Sequence, residues 1–285
     1  MNKRFIVIAV IVVLVLGLIA FYWYEAHAPG ASTEAETVAE TSSQVVARPE
    51  PVQETEAPAM EVEEKLPIVT AELEELPLPP LAESDGYARQ NLASVVGEAA
   101  AMHYFVDESL VARAVASIDA LGSRQVPGNI QAIHGPAESY VAVEDPSPPT
   151  MIRNEQGDPM PQYLSDPANR ARYTAYVEML ETLNAESFAA LYSRNYPLFQ
   201  QAWRELGYVD VDFNDRLEEV IDELLATPEV DEPYRLVKPE AVYLFADEEL
   251  ESLTAGQKIL LRMGSENAAR VKSSLLKIRK ALREM

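Results

Sequence analysis

The stretch DFNDRLEEVIDELLATP, from Asp212 to Pro228, shows how the larger part of this chain is built. Asp212 is a preferred N-cap residue, and Pro228 cannot continue a helix. Between them the apolar residues recur at helical spacing on one face, which leaves the acidic residues on an opposite, solvated face. The stretch therefore predicts an amphipathic helix from Phe213 to Ala226. Its predicted core-facing residues are Leu217, Val220, Ile221, Leu224 and Leu225.

Helical periodicity continues on both sides of this stretch. Thr254-Ala255-Gly256-Gln257 matches a capping box, so a short helix is expected to open there. Pro197 lies within another helical pattern, where it either kinks the helix or starts a new one. Nearer the N-terminus, Gly122 is the expected end of a helix. The remaining predicted N-caps are Ser84, Asp107, Asp166, Asn184 and Ser265.

Residues 123–165 break this pattern, because prolines and glycines recur throughout them. A long irregular segment inside a domain is usually functional or wraps the surface, and both interpretations stay open. Short strands are predicted at Tyr140 to Val143 and at Val242 to Phe245. The expected fold class is therefore mainly α: a compact multi-helix domain over residues 81–285 with two short strands.

Residues 25–80 have a different character, with eight prolines and no aromatic residue. From Glu25 to Glu83 there are 14 acidic residues and only two basic ones. Such a segment buries too little apolar surface to offset its ordering entropy, so we predict a disordered acidic linker. As a flexible coil it spans about 40 Å, and proline and charge repulsion extend it further. Its expected role is that of a spacer.

An apolar run, FIVIAVIVVLVLGLIAFYWY, extends from Phe5 to Tyr24 near the start of the sequence. It has the length of a helix that crosses a bilayer, about 20 residues. Lys3 and Arg4 precede it, and positive charge stays on the cytoplasmic side. We therefore expect a cytoplasmic N-terminus at residues 1–4 and a single-pass signal anchor in the inner (cytoplasmic) membrane at 5–24. The C-terminal domain is then periplasmic or otherwise extracytoplasmic.

A cleaved signal peptide is the alternative interpretation, because Ala26-His27-Ala28 resembles a peptidase cleavage site. The apolar run is longer than the usual apolar region of such a signal, which has about 7–15 residues. Pro29 would also follow the cut directly, where its ring hinders a peptidase. We favour the uncleaved anchor, which makes the lipid bilayer the first predicted partner.

The composition excludes several functional classes. The formal net charge is −23, and an acidic chain is a poor partner for nucleic acid. The sequence contains no cysteine, so it predicts no disulfide, thiol nucleophile or Cys-ligated metal. We find no recognisable catalytic, metal-binding or dinucleotide-binding motif in it. Neither a cofactor nor a metal is predicted, and no catalytic residue is assigned.

Two groups of polar residues are candidate sites. In the first, Asn214-Asp215-Arg216 opens the predicted helix and forms a polar cluster facing a groove, with Arg262 and Asn267 as candidates to join it. Helix capping explains such residues without a ligand and is the simpler interpretation. The second is a candidate basic contact face on the last helix, for anionic lipid or an acidic partner, although packing is the simpler interpretation. This basic face comprises Arg270, Lys272, Lys277, Arg279, Lys280 and Arg283.

Four stretches resemble a known bacterial family, catalogued as domain of unknown function 3014. The resemblance covers the chain from about Leu81 to the C-terminus and is strongest beyond Tyr163. It implies a single-pass, membrane-anchored envelope protein, and it implies no activity, cofactor or partner. The stretches are Tyr196-Pro197-Leu198 with Trp203 and Gly207, FNDRLEEVIDELLATPEV (Phe213 to Val230), Leu236-Val237-Lys238-Pro239, and ESLTAGQKILLRMGSENAARVK (Glu251 to Lys272).

Two hypotheses about function follow. In the first, which we favour, the protein is tethered to the membrane and its exported helical domain binds a protein or a cell-wall component. In the second, the domain is an envelope hydrolase or lyase that uses carboxylates such as Asp215 in a groove. A concave site beside Asp215 and Arg216 is a requirement of the second hypothesis.

Overall fold

The computed structural model describes residues 77–125, 127–154 and 156–284 of the chain. The predicted anchor, Phe5 to Tyr24, and the predicted linker up to residue 76 lie outside the described residues. Within the described ranges, every helix is too short or too polar to span a bilayer. The described residues therefore belong to the predicted C-terminal domain and to the few residues before it.

The described residues form nine α-helices, which confirms the prediction of a mainly helical domain. Short 3-10 turns occur at Leu81–Glu83, Gly128–Ile130 and Pro167–Arg170. The helices are α1 (Asp85–Val96), α2 (Glu98–Tyr104), α3 (Leu110–Leu121), α4 (Ala171–Glu181), α5 (Ala185–Glu205), α6 (Phe213–Leu225), α7 (Glu248–Glu251), α8 (Ala255–Arg262) and α9 (Ser265–Arg283).

A small antiparallel sheet of four strands accompanies the helices, in the order β1-β2-β3-β4. Two strands were expected, so the prediction was wrong in number. The first strand also begins at Ala142 instead of Tyr140. The additional strands carry little local signal, because they are extended only where they pair with each other: Tyr163 lies opposite Leu236. The strands are β1 (Ala142–Glu144), β2 (Gln162–Ser165), β3 (Arg235–Val237) and β4 (Leu244–Phe245).

Several predicted helix caps are confirmed by their hydrogen bonds. The Asp212 carboxylate accepts from the Asn214 N–H at 2.9 Å. The Asn184 side chain accepts from the Ser187 N–H at 2.7 Å. At α8, Thr254 and Gln257 form the predicted capping box. These caps satisfy N–H groups that the helix itself leaves without a partner.

Asp107 does not cap α3, contrary to the prediction. Its carboxylate pairs with Arg89, and the N-cap position is Ser109, with φ of 55°. The capping group comes instead from α1: the Asp85 carboxylate accepts from the N–H groups of Ser109 at 2.7 Å and Leu110 at 2.8 Å. The cap is therefore supplied by a residue distant in sequence, which local patterns do not reveal.

Two other caps also differ from expectation. Ser84 precedes α1, but its hydroxyl donates to the Leu81 carbonyl and caps no N–H group. At α9 the N-cap is Gly264, with φ of 86°, and Ser265 is the first helical residue. The open question at Pro197 is also answered, because α5 runs through it as one helix.

The main core lies between α3, α4, α5, α6, α8 and α9. Its largest fully buried side chains include Trp203, Phe188 and Phe213. A second, smaller cluster lies beneath the sheet and includes Tyr140, Tyr234 and Phe245. Helix α6 packs its apolar face on the main core as predicted, since all of its predicted core-facing residues except the half-buried Leu225 are buried.

Candidate functional site

The segment between α5 and α6, residues 206–212, presents large apolar side chains to solvent. Apolar side chains clustered on a monomer surface usually mark a site of interaction. We call these four residues the exposed strip. They are Leu206, 46% exposed, Tyr208, 39%, Val209, 68%, and Val211, 46%.

Contacts with α5 hold the exposed strip in place. The ring of Tyr208 stacks on that of Trp203, with centroids 3.8 Å apart and an angle of 11° between the planes. The carbonyl of Val211 accepts from Trp203 Nε1 at 3.1 Å and from Gln200 Nε2 at 3.2 Å. Gly207, with φ of 107°, turns the chain where a side chain would be strained. The strip is therefore ordered before any partner binds.

A depression of about 600 Å³ lies beside the strip. It is close in size to a small-molecule pocket, although it is open to solvent. We call it the Arg216 depression, after the cation among its lining residues. Among its lining residues are Asp119, Trp203, Tyr208, Asp215, Arg216 and Glu219.

The guanidinium of Arg216 is held by carboxylates on two helices. Its Nε donates to Asp119 Oδ1 at 2.8 Å, and its Nη1 donates to Glu219 Oε2 at 2.6 Å. Burial opposes the charge of Arg216, but these hydrogen bonds outweigh burial and raise the pKa of Arg216. Gly122 leaves room for the guanidinium, because a Cβ at Gly122 would overlap it. The ion pair therefore depends on a glycine at the end of α3.

Asp119 links this ion pair to the exposed strip. Its Oδ2 accepts from the hydroxyl of Tyr208 at 3.0 Å, and this hydrogen bond raises the pKa of Tyr208. Asp215 lies exposed in the first turn of α6. With Glu219, the depression has three carboxylates and one cation, so its lining favours a cationic group on a ligand.

One acid on α6 is not solvated as predicted. The Oε2 atom of Glu223 is buried and accepts no hydrogen bond from the described residues, and burial raises the pKa of Glu223. That oxygen lies against the end of α3, since a Cβ at Gly122 would be 3.0 Å from it. The nearby Arg216 guanidinium offsets only part of the effect of burial on the pKa of Glu223.

The structure places the residues of the predicted polar cluster in four different environments. Asp215 and Arg216 line the depression. Asn214 is buried and accepts from the hydroxyl of Tyr192 at 3.0 Å. Arg262 is buried beneath the sheet, and Asn267 donates to the carbonyl of Met263 at 3.1 Å. Of the five residues predicted for this cluster, Asp215 and Arg216 are therefore the two that line the depression.

The candidate basic face on α9 is largely engaged with neighbouring groups. Its contacts anchor α9 to α4, to α6 and to the segment that follows α6, which agrees with the packing interpretation. Lys277 is exposed. The pairs are Arg270 with Glu181 at 2.6 Å, Arg279 with Asp222 at 2.6 Å, Lys280 with Glu284 at 3.8 Å, Arg283 with Glu218 at 3.9 Å, and Lys272 with the Thr227 carbonyl at 2.6 Å.

The sequence did not reveal Asp119 or the exposed strip as part of the site. Asp119 sits on the polar side of α3, where an acidic residue carries no special signal. The exposed strip did carry a signal in the sequence. The short connection that ends at the Asp212 cap contains four large apolar residues close together: Leu206, Tyr208, Val209 and Val211. Such a run in a short connection departs from the polar character of most loops.

The fold and the site define a mainly α-helical domain with a small antiparallel sheet and a rigid, partly apolar surface. In the part of the chain that the structure describes, no group of three or more His, Asp or Glu residues is arranged to hold a metal ion. A family model described as "Protein of unknown function (DUF3014)" matches residues 110–279, and the chain belongs to this family. No curated protein and no solved structure matches the chain.

Proposed function

We propose that this protein is a single-pass, membrane-tethered envelope protein whose helical domain binds another protein. The contact surface is the exposed strip together with the Arg216 depression. The observation that carries this proposal is the rigid exposure of Leu206, Tyr208, Val209 and Val211. Preorganised apolar side chains lower the entropy cost of association, which is typical of a docking surface.

The surroundings of the strip favour one kind of partner. Exposed carboxylates of Asp210, Asp212 and Asp215 flank its apolar side chains. The complementary surface has apolar side chains bordered by Lys or Arg, because like charges would oppose association. A cell-wall glycan offers mainly hydroxyl groups, which do not match the aliphatic side chains of Val209 and Val211. A protein partner therefore fits this surface better than a cell-wall component.

The N-terminal sequence supports the proposed location. The apolar run from Phe5 to Tyr24, preceded by Lys3 and Arg4, has the length and flanking charge of a signal anchor. The proline-rich linker then lets the domain reach a partner tens of ångströms from the bilayer. Its acidity keeps the linker away from anionic lipid headgroups.

Site-specific crosslinking of the full-length protein in intact cells tests the proposal. A photoactivatable residue at Val209 is expected to capture one reproducible partner, which is identified by mass spectrometry. The matched control is Met102, a residue on α2 that is 67% exposed. Val209→Asp is expected to abolish co-purification of that partner from crosslinked membranes, whereas Met102→Asp leaves it unchanged. Equal capture at both positions, or no reproducible partner, contradicts the proposal.

The second candidate function is that of an envelope hydrolase or lyase, and the depression beside Asp215 is the observation that favours it. Incubating the purified full-length protein with isolated cell-wall material tests it. Release of fragments that stops with Asp215→Asn supports hydrolysis or elimination. No release, or the same release by the variant, contradicts it.

A further inference from the structure

A second concave surface lies at the opposite end of α6 from the exposed strip. It is a groove of about 970 Å³ between α9 and the irregular segment that follows α6. Since α6 has 13 residues, the two sites are separated by about 20 Å along its axis. We call this surface the acidic groove. Among its lining residues are Val230, Asp231, Tyr234, Leu261, Ala269 and Leu276.

The floor and one wall of the acidic groove are shaped for close approach of another chain. Tyr234 and Leu261 are buried at its floor. Ala269 and Ser273 are exposed along α9, and such small side chains let a backbone come near. Leu276, which is 54% exposed, ends this wall. The groove therefore combines an apolar floor with room for a main chain.

The opposite wall is fixed at both of its ends. The Glu232 carboxylate accepts from the Ser265 N–H at 2.7 Å and from Arg170 Nη2 at 2.6 Å. At the other end, Lys272 Nζ donates to the Thr227 carbonyl at 2.6 Å. Burial would raise the pKa of Glu232, but the bonds from Ser265 and Arg170 outweigh it and lower that pKa. Both ends of this wall are thus hydrogen-bonded to α9.

Between these two ends the wall offers unused polar groups. Within the described ranges, the backbone N–H groups of Glu229, Val230 and Asp231 donate to no backbone carbonyl. The carboxylates of Glu229 and Asp231 form no ion pair within these ranges either, whereas Glu266 on α9 lies close enough to Arg170 and Arg270 to interact with their charges. Free main-chain donors are the groups that an added extended segment pairs with.

We propose that the acidic groove binds an extended segment of a partner protein in which Lys or Arg alternates with apolar residues. Charge complementarity favours this occupant, because Glu229 and Asp231 attract a cation and repel this chain's own acidic linker. Alternation places apolar side chains on the floor and cations at the rim.

The dimensions set the length of the bound segment. From Ser265 to Leu276 the α9 wall rises about 16 Å, which corresponds to about five residues of extended chain. This groove goes beyond the proposed function, because it is a separate surface, about 20 Å from the exposed strip along α6, and it takes an extended segment.

Fluorescence anisotropy with a defined peptide tests the inference. The probe is fluorescein-labelled Lys-Val-Lys-Val-Lys-Val-Lys, titrated with the full-length protein in detergent micelles. Asp231→Lys is expected to weaken binding at least about fivefold, because it reverses a charge at the rim. Ala269→Trp is expected to weaken it at least about tenfold, since the indole fills the groove.

The matched controls are Glu240→Lys, an exposed charge reversal in another irregular segment, and Met102→Trp on α2. Both are expected to bind the probe within about twofold of the unaltered protein. The inference is overturned if the probe does not bind, if the controls weaken binding equally, or if a Glu-Val peptide binds as well. Tighter binding of a helix-forming peptide with the same composition would also overturn the extended conformation.

Two variants distinguish a failure of the acidic-groove proposal from a failure of the proposed function. Val209→Asp is expected to leave peptide affinity unchanged, and Asp231→Lys is expected to leave crosslinking at Val209 unchanged. If Val209→Asp abolishes peptide binding, the peptide occupies the exposed strip and the acidic groove is not its site.

Discussion

Arg216 on α6 and Asp119 on α3 form an ion pair, with Arg216 Nε 2.8 Å from Asp119 Oδ1. The same carboxylate accepts from the hydroxyl of Tyr208 in the exposed strip. A single acidic side chain therefore connects two core helices to the proposed docking surface. Loss of the pair is expected to affect both the stability of the domain and the position of Tyr208.

Arg216→Ala is expected to lower the free energy of unfolding by about 1–3 kcal/mol, because Asp119 keeps its partly buried charge and loses its cation. Urea denaturation followed by circular dichroism measures this change. The control is Arg283→Ala, whose pair with Glu218 is longer, at 3.9 Å, and more exposed. The free energy of unfolding of that variant is expected to fall by less than about 0.5 kcal/mol. Equal losses in the two variants would contradict the role assigned to Arg216.

Gly256→Ala is expected to destabilise the domain by about 1–2 kcal/mol, although alanine favours helices. A Cβ at Gly256 would lie 2.6 Å from Cδ2 of the buried Leu224. Gly86→Ala is the matched control, because both glycines are the second residue of a helix and a Cβ at Gly86 meets nothing within 4 Å. The thermal unfolding midpoints of the two variants are expected to shift in opposite directions. Gly86→Ala is expected to raise the free energy of unfolding by about 0.5–1 kcal/mol.

Glu232→Gln is expected to reduce stability at neutral pH but not in acid. The pKa of Glu232 is lowered in the folded state from its ordinary 4.5, so the carboxylate contributes stability above that value. This contribution is lost as the pH falls through the folded-state pKa. Denaturation of both proteins from pH 7 to pH 3 is therefore expected to show a difference that shrinks below about pH 4.5. A difference that is constant over this range would refute the assignment.

Arg262→Ala is expected to lower the free energy of unfolding by about 2–4 kcal/mol, because the guanidinium packs in the smaller core beneath the sheet. Its Cζ lies 5.2 Å from the ring centroids of both Tyr140 and Phe245, and its Nη2 donates to the carbonyl of Tyr243. Near-ultraviolet circular dichroism, which reports packed tyrosines, is expected to change together with the unfolding midpoint. An unchanged spectrum and midpoint would show that the sheet does not depend on Arg262.

Much of the helical architecture could be predicted because its causes are local. The apolar spacing of α6, its cap at Asp212 and the capping box at Thr254 all act within about four residues. The Asp85 cap of α3 could not be predicted in this way, because the acceptor and the Leu110 donor are 25 residues apart. Half of the sheet could not be predicted either, because strands of three or four residues are stabilised mainly by their partners.

The candidate site was only partly predictable for the same reason. Asp215 and Arg216 were identified because polar residues at a helix start stand out in a sequence. Asp119 was not identified, because it is 97 residues away from Arg216 in the sequence. Arg262 and Asn267 were expected in the same cluster, but burial placed Arg262 against aromatic rings and Asn267 against backbone carbonyls.

By itself the sequence determined the helical class of the domain, its main helix boundaries, its acidity and its membership of a family. These follow from periodicity, composition and short motifs, which operate over a few residues. Only the tertiary structure decided that Tyr208 and Val209 remain exposed, and that Asp119 meets Arg216. The physical reason is that burial and ion pairing depend on which distant segments pack together.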